Sequence, residues 1–152
     1  MNLSDIQEYL ADFQRRPLPE VVSRTLKIPA TTKIISIIGP RRAGKSYFLY
    51  QIMTELLQQG TTKEQIIYLN FEDTRLIGII FNEMREILKL HWQLYPSSIN
   101  KKLYLFMDEP QNIAQWEVAV RSLHDEGYKI FLSGSSSKLL SKEIATSLRG
   151  RT

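Results

Sequence analysis

Apolar residues in this chain keep two rhythms. Short, nearly continuous apolar runs occupy 33–39 (Lys-Ile-Ile-Ser-Ile-Ile-Gly), 65–71 (Gln-Ile-Ile-Tyr-Leu-Asn-Phe), 102–107 and 128–133. Runs of that length and β-branched character predict strands buried on both faces, as in a parallel sheet. Between them the apolar residues recur at helical spacing. Phe48, Leu49, Ile52, Met53, Leu56 and Leu57 mark a helix over 45–58, with Gly60 as its stop. Ile80, Met84, Ile87, Leu88 and His91 mark a second over about 77–93. Trp116, Val120 and Leu123 mark a third, capped by Asn112 with Gln115 and closed by Gly127. Ahead of all these, Ser4 with Gln7 reads as a capping box for a helix to about Arg15, ended by Pro17 and Pro19. A lead-in follows up to residue 32. The segment from Gly134 to Thr152 is Ser-rich, then helical, then basic.

Strand and helix therefore alternate. Alternation of this kind predicts βαβ units with right-handed crossovers, hence an α/β parallel sheet with helices on both faces. Ligands of such sheets sit beyond the carboxyl ends of the strands, and polar residues stand at those ends here: Asn70, Asp108 with Glu109, and Ser133.

The composition limits the function classes. The chain has 152 residues, 43% hydrophobic and 24% charged, which suits one globular domain and excludes whole-chain disorder. It has no cysteine, so disulfides and thiolate chemistry are out. A net charge of +4 permits contact with phosphates or nucleic acid without arguing for either. The acidic, polar N-terminus is unlike a signal peptide, and no apolar run is long enough to span a membrane, so a cytoplasmic protein is expected.

The first strand runs into Gly39-Pro40-Arg41-Arg42-Ala43-Gly44-Lys45-Ser46, a full match to G-x-x-x-x-G-K-[ST]. Glycines at both ends let the main chain turn tightly and aim its N–H groups at phosphate oxygens. The helix that follows directs its positive end at the same anion. Lys45 is expected to reach the β- and γ-phosphates and Ser46 to ligate Mg²⁺, with the nucleotide site running from Gly39 to Tyr47. The third strand ends in Asp108-Glu109, which looks like a Walker B element. Asp108 would hold Mg²⁺, and Glu109 would orient or deprotonate the attacking water. A glutamate after that aspartate favours hydrolysis over transfer to a small-molecule hydroxyl. No N-K-x-D guanine signature is present.

Four blocks, in order, carry a family resemblance: Gly39 to Ser46; Asp108-Glu109-Pro-Gln-Asn112 followed by Trp116; Gly134-Ser-Ser-Ser-Lys-Leu-Leu140; and Thr146-Ser-Leu-Arg-Gly-Arg151. Together they resemble the prokaryotic, especially archaeal, AAA+ ATPases that usually carry an uncharacterised, often nuclease-like C-terminal domain. The resemblance implies a three-layer P-loop NTPase fold of the RecA/AAA+ kind, sheet order 5-1-4-3-2, and ATP as nucleotide. It implies a γ-phosphate sensor at Ser133 or Ser135, with helix capping as the alternative. Arg149 and Arg151 match the segment that holds arginine fingers acting on a neighbouring subunit, the alternative being a solvated basic tail. Asn70 matches a polar switch that restrains the catalytic glutamate, with Glu72 and Asp73 near enough to compete for that role. Such proteins continue into a fifth strand and a lid, whereas here the sequence ends at Thr152. The expectation is one ATPase core over 1–152, with 1–32 as helix and lead-in and 33–152 as a C-terminally incomplete nucleotide-binding core. The first strand would then be an apolar edge that recruits a second copy or another partner.

Other features add little. His91 and His124 lack neighbours at ligand spacing, which disfavours zinc. Ser135-Ser-Ser-Lys138 fits S-x-x-K without its partner motifs. Trp92 and Trp116 read as packing residues, and Arg41 and Arg42 as added positive potential or exposed side chains. Three functions stay open: an ATPase core, a nucleotide-binding module that does not hydrolyse, and a nucleic-acid-associated protein. The last is weakest, because no basic-aromatic stripe accompanies the mild charge.

Overall fold

The computed structural model describes residues 1–20, 33–38 and 45–134. The lead-in over 21–32, the loop from Gly39 to Gly44, Ser135, Arg149 and Arg151 lie outside the described residues, as does the basic C-terminal segment.

Among the described residues four strands form one parallel sheet: β1 (Ile35–Ile38), β2 (Ile66–Asn70), β3 (Tyr104–Asp108) and β4 (Lys129–Gly134). Their order is β1-β4-β3-β2, the order the family resemblance implies for these four. The α-helices are α1 (Leu3–Arg15), α2 (Lys45–Gln58), α3 (Met84–Leu94) and α4 (Trp116–Asp125). Alternate strand residues serve opposite faces. Ile35, Ile66, Tyr68, Phe106 and Phe131 pack with Leu49, Ile52, Met53 and Leu56 of α2. Ile67, Leu69, Leu105, Met107, Ile130 and Leu132 pack with α1, α3 and α4. Phe106 and Phe131 stack at 4.6 Å between ring centres in the α2 layer. The fold is thus a three-layer α/β sandwich of the P-loop NTPase kind, built on strands buried on both sides. Among the described residues no helix is long and apolar enough to cross a membrane.

Sheet edges expose unpaired main-chain groups. At β2 the side chains of α1 cover them. The Tyr9 hydroxyl donates to the Tyr68 carbonyl at 2.7 Å and accepts from the Asn70 N–H at 2.8 Å. Gln14 donates to the carbonyls of Lys63 and Ile66, both at 3.1 Å. Arg75, in the loop after β2, ties α1 down further: it donates to Asp12 at 2.9 Å and grips Asp73 with two nitrogens at 3.1 Å.

Several boundaries differ from expectation. β1 is shorter than 33–39. The cap of α1 is Asn2, whose Oδ1 accepts from the Asp5 N–H at 3.0 Å, so Ser4 and Gln7 fall inside the helix. α3 starts at Met84 rather than near 77. Residues 74–80 turn instead, around Gly78 at φ 88°, and the Ile80 N–H donates to Glu83 at 2.8 Å where the helical path begins. Ile80 is 53% exposed, and Leu76 and Ile79 are buried in its place. A short 3₁₀ turn over Pro110–Asn112 precedes α4, and Gln115 stands at its start in the left-handed region (φ 59°) without a side-chain cap, so Asn112 and Gln115 make no capping pair. The bounds of α2 agree with expectation, but its stripe is narrower: Phe48 is exposed and Leu57 only half-buried.

Candidate functional site

Register brings the strand ends into one row. Asn70 lies opposite Asp108, Asp108 opposite Ser133, and Ser133 opposite Ile37. The first turn of α2 reaches this row, and two contacts join them. The Lys45 Nζ donates to Glu109 Oε1 at 3.0 Å, with only 7% and 6% of the two side chains exposed. The Ser46 hydroxyl donates to Asp108 Oδ2 at 2.6 Å. Four of the residues singled out by motif, more than 60 positions apart in sequence, thus meet in one place.

Local backbone geometry aims the glutamate. Glu109 leaves β3 in the left-handed region (φ 57°, ψ 50°), directly before Pro110. A non-glycine residue there carries roughly 1–2 kcal/mol of strain, and such strain is characteristic of functional sites. The Glu109 N–H donates to the Ser133 carbonyl at 2.6 Å. Gln111, across the same turn, donates to Glu109 Oε2. The carboxylate is therefore held from both sides.

Ser133 is fully buried, and among the described residues its hydroxyl has no hydrogen-bond partner. A buried orphan hydroxyl is uncommon, and this one lies one strand over from Asp108. The donor set near α2 is hard oxygen, one hydroxyl and one carboxylate, which fits Mg²⁺ completed by phosphate oxygens and water. The first turn of α2 contains no acidic residue and begins with a lysine. The helix's positive end so carries a cationic residue at its first position, an arrangement suited to an anion.

One residue of the site has no motif signal. Tyr68 on β2 donates its hydroxyl to Asp108 Oδ2 at 2.9 Å, the same oxygen that Ser46 reaches. Burial first, and then the charge of Asp108, push the Tyr68 phenol far above its usual range, so it stays a proton donor. The only sequence hint is a tyrosine in an otherwise aliphatic buried strand, where its O–H needs a partner. Asn70 serves a turn: its Oδ1 accepts from the Glu72 N–H at 3.0 Å. Hydrogen bonds from Arg75 hold the Asp73 carboxyl below its ordinary value. Tyr47 is exposed on α2. Trp116 is buried and Trp92 packs half-buried against the core.

Comparison with known proteins shows the family. The family model described as an AAA domain matches residues 31–152. The chain belongs to this AAA family. An uncharacterized protein of Methanocaldococcus jannaschii is 47% identical over 133 residues, covering 87% of this chain and 28% of that protein. An uncharacterized protein of Haemophilus influenzae is 38% identical over 120 residues, covering 78% and 29%. The chain thus spans under a third of the length of either relative. Membership of the AAA family carries a nucleotide-binding, ATPase-type function at the level of the family.

Proposed function

We propose that this AAA domain binds ATP with Mg²⁺ and hydrolyses its terminal anhydride. The convergence of Lys45, Ser46, Asp108 and Glu109 carries the reading. In it, the loop from Gly39 to Gly44 and the start of α2, through Tyr47, cradle the phosphates, and Lys45 anchors the terminal ones. Ser46 and Asp108 hold the cation, which would supply charge neutralisation of the phosphate oxygens. Glu109 orients the attacking water and accepts its proton, and Ser133 senses the terminal phosphate. Arg149 and Arg151 are proposed as fingers for a neighbouring subunit, which makes an assembly of copies part of the proposal.

One observation favours the rival reading of a binding module without hydrolysis: Glu109 is committed to Lys45 and Gln111. Phosphate release separates the two. Hydrolysis predicts release above background that Glu109→Gln abolishes, whereas a binding module gives background in both. Labelled ATP that still binds after Lys45→Ala would sink every nucleotide reading.

A further inference from the structure

We propose that Tyr68 is a positioning residue for the cation site, setting the orientation of Asp108 and linking it to the N-terminal helix α1. This rests on the nucleotide reading and extends it to a residue outside both motifs.

The geometry is specific. Asp108 Oδ2 accepts two O–H donors, from Ser46 at 2.6 Å and from Tyr68 at 2.9 Å. Two donors converging on one oxygen fix the plane of a carboxylate and leave its remaining lone pairs for a cation. A Ser46 hydroxyl that ligated a cation through an oxygen lone pair would keep its O–H for Asp108, so Tyr68 would act beside it as the second anchor of that carboxylate. Outer partners that orient a metal ligand in this way commonly contribute about 10–100-fold to metal affinity.

Tyr68 is itself held from two helices. Its ring packs against Phe13 of α1 at 5.9 Å and Tyr50 of α2 at 5.6 Å between centres. Its carbonyl accepts from Tyr9, whose oxygen also takes the Asn70 N–H. Tyr9 therefore clamps the main chain on both sides of Leu69. A displacement of α1 would therefore reach Asp108 through Tyr68 of β2.

Tyr68→Phe removes only the hydroxyl, so the fold is retained, as a thermal melt would verify. The test uses a fluorescent ATP analogue, titrated once in EDTA and once in excess Mg²⁺, with Mn²⁺ binding followed by EPR. We expect equal affinity for both proteins in EDTA. The gain in affinity on adding Mg²⁺ falls about tenfold in Tyr68→Phe, and Mn²⁺ binding weakens in parallel. Tyr9→Phe shifts the same quantity in the same direction by a smaller factor. An unchanged Mg²⁺ gain, or a loss of affinity equal in EDTA and in Mg²⁺, overturns the proposal and leaves Tyr68 a packing residue. If the unaltered chain binds no analogue at all, the nucleotide reading itself fails and this proposal falls with it.

Discussion

Replacing Glu109 by glutamine keeps an acceptor oxygen in front of Lys45 and deletes the charge. At 3.0 Å two unit charges attract by about 5 kcal/mol at an effective dielectric of about 20. Desolvation of both groups offsets much of that, and removing one partner of a buried pair costs about 3–5 kcal/mol. The retained hydrogen bond from a charged donor returns roughly 1.5–3 kcal/mol. The net expectation is a loss of about 2 kcal/mol in folding stability without nucleotide, or roughly 4–8 °C in melting temperature at this chain length.

Nucleotide affinity should move the other way. If triphosphate oxygens take over the Lys45 ammonium, the pair with Glu109 is already broken in the bound protein. The variant then loses stability only when free, and binding tightens by the same energy, up to about thirtyfold. Urea unfolding and titration of a fluorescent ATP analogue in EDTA measure the two effects. Glu109 also repels the triphosphate directly, so Lys45→Ala and the double variant complete a cycle that isolates the pair. A stability loss with unchanged affinity would mean that Lys45 stays with Glu109 when ATP binds, and the assignment of Lys45 as phosphate anchor would be refuted.

Three further outcomes are expected. Hydrogen bonds from Arg75, and then Arg15, hold the Asp12 carboxyl below its ordinary value, and Arg75 does the same for Asp73. That stability is present above the unfolded carboxylate range near about 3.9 and is lost as pH falls through the lower folded values. Arg75→Gln should therefore lower the urea midpoint at pH 7 and much less at pH 2.5, and equal losses at both would contradict it. Burial holds the His91 imidazole below 6.5, while its Nε2 bonds the Glu64 carbonyl at 2.8 Å. Stability should be complete above that value and fall as pH drops below it, by at most about 1.4 kcal/mol per pH unit until the folded value is reached. His91→Gln should flatten that limb in denaturant titrations, and an unchanged slope would assign it elsewhere. Phe106→Ala should cost about 3–5 kcal/mol, because the ring is fully buried against Phe131; a loss under about 1 kcal/mol would show that the α2 layer collapses around the gap.

The strands and α2 were legible because their signal is local. A β-branched run reads as a strand wherever it is buried on both faces, and the stripe of α2 starts directly after the G-x-x-x-x-G-K-S motif. Lys45, Ser46, Asp108 and Glu109 are legible as a group because motif spacing picks them out, and the fold brings them together. The start of α3 is not legible because Ile80 continues its helical period by chance. The turn there depends on Gly78 and on Arg75 reaching back to Asp12, 63 positions earlier. Asn2 was passed over as a cap because Ser4 with Gln7 makes an equally good pattern two residues on. Gln111 and Tyr9 carry no signal, and Tyr68 carries only the hint of a tyrosine in a buried strand, because their role lies in partners that only the folded sheet supplies: Tyr68 meets Asp108 across 40 positions, and Tyr9 meets Tyr68 across 59.

Those long-range partners show why α1 packs as part of the sheet's own structure rather than hanging from it. Among the described residues β2 is an edge strand, and an uncovered edge leaves main-chain groups either solvated or open to another chain. Hydroxyl and amide groups from one face of α1 satisfy the carbonyls of Ile66 and Tyr68 and the N–H of Asn70. Ile6 and Leu10 of the same helix enter the core beside Leu69. The tyrosine that closes the edge also holds the main chain of the residue whose phenol reaches Asp108. Edge protection and site geometry therefore depend on the same few hydrogen bonds. If Tyr68 positions Asp108 as proposed, a change in α1 that loosens the edge also loosens the carboxylate, and stability and cation affinity then fall together.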